Sequence, residues 1–153
     1  MSDKYVHYGN THYDDTLFKP IKDIYWLKPT GGLWASKVDA KFGWKQWSER
    51  NNFRTYSIDP KNCFYFELAD NAKIYRINNV KDMEGLPRYE FGNSGLVSKL
   101  IKPTQVFLKF EELSKQYDAI EFNISSDPRL YWYLYGWDCD CTLIMNKEVI
   151  LSE

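Results

Sequence analysis

The chain has 153 residues, a formal net charge of −1 and no dominant run of basic or acidic side chains. That balance excludes the electrostatic footprint of a nucleic-acid binder and the strong negative field of a DNA mimic, and the length suits one domain, residues 1–153. Aromatic residues make up 18% of the chain, 12 Tyr, 9 Phe and 6 Trp, more than a core of this size needs, so some are available as flat surfaces for a ring or base.

In chain order, "YVHYG" (5–9) reads as a first strand closed by Gly9, with Tyr5, His7 and Gly9 on one face. Residues 10–23 read as a polar loop. "IYWLKP" (24–29) is a short extended piece that Pro29 ends. "GGLWAS" (31–36) is a glycine-led strand in which Gly31 and Gly32 allow a ligand or another backbone to come close. Residues 41–53 predict a helix carrying Trp44 and Trp47 three residues apart. "CFYFELA" (63–69) and "AKIYRIN" (72–78) are strands separated by the turn-prone pair Asp70-Asn71. Residues 80–96 form a long loop, and a helix spans about 110–117. "DAIEFNI" (118–124) is a strand, 125–140 an aromatic loop or edge, and "CTLIMN" (141–146) the last strand, which 147–150 leave. The order implies an α+β fold, a small split antiparallel β-sheet core with a few helices.

No phosphate-binding glycine signature and no H-E-x-x-H motif occurs. Cys139 and Cys141 form a single C-x-C pair. With Cys63 and His7 or His12 they fall short of the doubled C-x₂₋₄-C spacing of structural zinc, so they read as small buried residues beside the last strand and no metal is expected. A cysteine with His7 or His12, oriented by Asp14 or Asp15, would be a nucleophilic dyad, a weaker reading. Three cysteines cannot all pair, which points to reduced thiols and a cytoplasmic protein. No stretch is apolar and long enough to span a bilayer, and the N-terminus lacks a signal-peptide pattern, so no membrane partner is expected. Three separated stretches supply the parts of a ring-binding pocket: His7 and Tyr8, then Gly32, Trp34 and Ser36, and the carboxylates Asp138 and Asp140.

Taken in this order, "VHYG", "GGLWAS", the helix after it, "CFYFELADNAKIYRIN", "YDAIEF" and "CTLIMNKEVI" resemble the ADP-ribosyltransferase superfamily over most of the chain. The resemblance implies that NAD binds as substrate. His7 would hold a ribose hydroxyl, Tyr8 and Gly9 would offer backbone contacts to the nicotinamide amide, Gly32 would give room, Trp34 would lie on the nicotinamide, and Ser36 would support the amide. The family's usual catalytic Glu falls here at about Cys141, so the acid would be Asp140, then Asp138, then Glu121. The implied activity is transfer of ADP-ribose to a macromolecular acceptor, protein before nucleic acid, as in a toxin or phage-type effector. The alternative is a weakly active or inactive module that binds a partner through the aromatic surface 129–137.

Overall fold

The computed structural model describes residues 3–24, 27–90, 105–134 and 136–152. Parts of the loop expected at 80–96, of "IYWLKP" and of the aromatic run 129–137 lie outside these residues. The fold is α+β, a multi-stranded sheet with three helices among the described residues.

Among the described residues there are eight strands: β1 (Lys4–Tyr8), β2 (Lys19–Ile24), β3 (Leu27–Lys37), β4 (Cys63–Leu68), β5 (Ile74–Ile77), β6 (Ala119–Phe122), β7 (Cys141–Ile144) and β8 (Ile150–Ser152). The helices are α1 (Trp44–Asn51), α2 (Phe110–Leu113) and α3 (Arg129–Tyr133). The strand order is β5-β6-β7-β3-β1-β4-β8, with β2 paired to β3. All pairings are antiparallel except β5 with β6, where Ile77 lies opposite Phe122.

Several expectations are corrected. Residues 19–23, read as loop, form β2 together with Ile24. Pro29 does not end a strand: β3 runs through it, because it sits where the register with β2 shifts between Lys22 and Ile24 and no regular ladder bond is lost. The segments either side of Asp70-Asn71 do not pair with each other. β4 pairs with β1 and β8, and β5 seeds the far edge of the sheet. The Asp118 carboxylate draws it there, accepting from the Lys73 N–H at 2.8 Å and from Asn146 Nδ2 at 2.9 Å. The aromatic segment contains α3, and α2 stops at Leu113, short of 117.

Alternation along the strands produces two apolar layers. Tyr5, Leu33, Phe64, Phe66 and Ile144 pack on one face, and Ile120, Phe122, Leu130, Trp137 and Leu143 on the other. β6 is buried along its whole length, which explains its near-continuous apolar reading.

Candidate functional site

A cleft of about 410 Å³ opens where β1, β3 and the start of β7 meet the helix α1 and the turn after it. Val6, His7 and Tyr8 line it from β1, Trp34, Ala35 and Ser36 from β3, and Cys139 and Cys141 from the last strand and the bend before it. Lys28, Trp44, Arg54 and Ser57 complete the wall. The volume lies within the range of small-molecule sites.

β3 is held in register by β7, Trp34 lying opposite Leu143 and Ala35 opposite Thr142. His7 Nδ1–H donates to the Trp34 carbonyl at 2.6 Å, and Nε2 faces the Asn10 side-chain amide at 3.1 Å. The imidazole therefore locks β1 to β3, and any new partner at Nε2 must displace Asn10. The Trp34 ring leans on Trp137 at 5.1 Å, with the Lys28 ammonium 5.6 Å from the Trp34 ring and 5.2 Å from the Trp137 ring.

Ser36 is buried and fully engaged. Its hydroxyl accepts from the Trp44 N–H at 3.1 Å and donates to the Asp140 carbonyl at 3.2 Å. Gly43, at the N-cap of α1, has no side chain to cap with, so Ser36 satisfies one orphan amide from across the chain. The Trp44 indole N–H donates to Ser57 Oγ at 3.3 Å and fixes the far wall. α1 ends at Asn52 in the left-handed region, and Arg54 repeats that conformation at φ 48°. A non-glycine residue held there stores backbone strain, and this one lines the cleft.

Gly31 and Gly32 answer to backbone rather than to a ligand. A Cβ on Gly31, at φ +86°, would lie 2.1 Å from the Pro20 carbonyl oxygen of β2, and one on Gly32, at φ +67°, 2.6 Å from that of Ile144 in β7. Gly9 has φ +112° and ends β1, its N–H donating to the Asn62 carbonyl at 2.9 Å. None of the three is among the cleft residues.

The acidic candidates separate. The Asp140 carboxylate is buried and turned away from the cleft. It accepts from the Phe42 N–H at 3.1 Å, the Ser125 N–H at 2.7 Å and the Ser125 hydroxyl at 2.6 Å. Glu121 lies elsewhere, buried on β6 opposite Thr142, with Lys37 Nζ at 3.7 Å and Arg76 Nε at 3.4 Å. Asp138 is half-buried, and its charge reaches the Cys139 thiol, which it pushes upward.

The thiols differ. A hydrogen bond donated by Cys141 holds the Cys139 thiol below its ordinary pKa, and the Lys28 ammonium adds to this. The same bond and burial push Cys141 up. Among the described residues no group of three or more His, Cys, Asp or Glu is arranged to hold a metal ion, and no helix is long and apolar enough to cross a membrane.

The structure thus brings His7, Tyr8, Trp34 and Ser36 together and leaves Gly9, Gly32, Asp138, Asp140 and Glu121 outside the cleft lining. Sequence reading missed Lys28, Arg54, Trp44 and Ser57. Arg54 and Ser57 follow a helix without any local motif, so nothing in their neighbourhood signals the cleft. Lys28 and Arg54 are the cations able to meet phosphate groups there. No family model, curated protein or solved structure matches the chain.

Proposed function

We propose that the cleft binds NAD and that the chain is a compact ADP-ribosyltransferase-like domain that passes ADP-ribose to a macromolecular acceptor. The observation that supports this most is the convergence of His7, Tyr8, Trp34 and Ser36, from two strands far apart in sequence, on one cleft that also carries Lys28 and Arg54. In this reading the nicotinamide lies against Trp34 and the β1 backbone at Tyr8. His7 takes a ribose hydroxyl as Asn10 gives way, and the two cations meet the pyrophosphate. Asp138 is the acid. Its carboxylate stabilises positive charge at the ribose as the C1′–nicotinamide bond breaks. Nicotinamide leaves with the bonding electrons, and the acceptor bonds to C1′ and loses a proton. A protein acceptor fits better than nucleic acid, since the net charge of −1 gives no general pull on a phosphate backbone. A toxin or phage-type effector is the matching biological role.

One observation favours a second reading, binding without transfer. The cleft residues include no carboxylate, and the Asp140 carboxylate is already held by three donors. Exposed Tyr131 and Trp132 would then supply the partner surface.

Calorimetry with NAD and assay of free nicotinamide in the presence of cell lysate separate the readings. Binding that weakens by about tenfold or more in Trp34→Ala, from lost ring contact, is expected. Nicotinamide release that stops in Asp138→Ala, with NAD still bound, supports transfer. Binding without release leaves the second reading, and no binding at millimolar NAD removes the first.

A further inference from the structure

Neither reading uses the two thiols of the cleft, and they are placed as a pair. One residue separates them, and that residue is Asp140. Its carboxylate is tied to Phe42 and Ser125, and its N–H donates to the Phe42 carbonyl at 2.8 Å. With the intervening side chain anchored away, Cys139 and Cys141 both line the same cleft, two residues apart on one wall. Cys139 sits in the bend before β7 rather than in the strand, so the backbone between the thiols is not held by a regular ladder. The Lys28 ammonium lies close enough to act on both sulfurs. Cys63 is apart, its Sγ–H donating to the Pro60 carbonyl at 3.4 Å.

We propose that Cys139 and Cys141 form a hydroperoxide-reactive dithiol, with Cys139 the attacking sulfur and Cys141 the resolving one. The thiolate of Cys139 attacks the terminal oxygen of a hydroperoxide, the O–O bond breaks with an alkoxide (hydroxide for hydrogen peroxide) leaving, and the sulfur is oxidised to a sulfenic acid. With hydrogen peroxide the departing hydroxide takes up a proton and leaves as water. The Cys141 sulfur then attacks the sulfenic sulfur, its proton and the hydroxyl leave as a second water, and a Cys139–Cys141 disulfide remains. The two electrons taken by the peroxide are those lost by the two thiols. The division of labour follows from place and charge: Cys141 is held in the β7 ladder and its thiol is pushed up, whereas Cys139 lies in the free bend before it and its thiol is held down. This inference holds whatever ligand the cleft takes, because its chemistry needs only the thiols, Lys28 and a peroxide.

The test uses the full chain carrying Cys63→Ser, treated with low hydrogen peroxide and then alkylated and mapped by mass spectrometry. The peptide holding both cysteines is expected to lose two hydrogens, to resist alkylation, and to regain both thiols after a reductant. Cys141→Ser is expected to stop at a sulfenic acid that dimedone traps, and Cys139→Ser to stay reduced at the same dose. A urea-unfolded sample is expected to react at least about tenfold more slowly, because unfolding removes Lys28 and the Cys141 bond from Cys139. The proposal is overturned if both thiols still alkylate after peroxide, if Cys139 goes to sulfinic acid with Cys141 intact, or if folded and unfolded chains react alike. None of these readouts involves NAD, so they stand or fall separately from the proposed binding.

Discussion

At the scale of single residues, type alone does not say what a position does. Gly31 and Gly32 look like room for a ligand, and the atoms that fill the room are the carbonyl oxygens of Pro20 and Ile144. Asp140 looks like a catalytic acid, yet its carboxylate is spent on three donors that hold the chain before β7 in place. His7, Trp34 and Ser36 do reach one cleft, because residue type and strand position there agree with where the strands lie. Gly31→Ala tests the glycine directly. The added Cβ meets the Pro20 oxygen and forces an L residue into the left-handed region. That conformation alone costs about 1–2 kcal/mol. Thermal melting should fall by roughly 2–8 °C, a midpoint shift that scanning calorimetry would read, and an unchanged midpoint would contradict the close approach.

At the scale of elements, helices and strands that depend on local pattern were legible. β1, β4, β6 and β7 appear where alternating or buried apolar runs place them, and α1 lies within 41–53. β2 was not legible because its residues, "KPIKDI", are mostly polar and become a strand only by pairing with β3. α3 is short and rests on Asp127. That carboxylate accepts from the Arg129 backbone, from Arg129 Nε at 3.1 Å and Nη2 at 3.0 Å, and from the Val80 N–H at 3.2 Å. The Arg129 hydrogen bonds hold its pKa at about 2. An unfolded Asp titrates near 3.9, so the folded value is the lower one. The stabilisation is present above about pH 4 and is lost as pH falls toward about 2. Asp127→Asn should lower stability at neutral pH and flatten the acid limb across that window. Urea midpoints measured from pH 7 to pH 2 would check it, and an unaltered acid limb would refute the role.

At the scale of the whole molecule, β3 is the strand on which the parts meet. It pairs with β2 along its first half and with β1 and β7 along its second, and its side chains enter both apolar layers. A sheet with its two cores joined through one strand should unfold as a unit. Far-UV circular dichroism and tryptophan fluorescence are therefore expected to give coincident urea transitions. Two separated transitions would mean that the layers are independent.

Local chemistry was enough to read the α+β class and most strand positions, since periodicity and turn residues act over a few neighbours. The partners of each strand required the folded chain. That Asp70-Asn71 is a crossing rather than a hairpin, that Arg54 and Lys28 reach the cleft, and that Asp140 faces away from it while Cys139 and Cys141 face in, all depend on contacts between residues far apart in sequence. No local pattern encodes those contacts, because the free energy that selects them comes from burying both faces of the sheet at once.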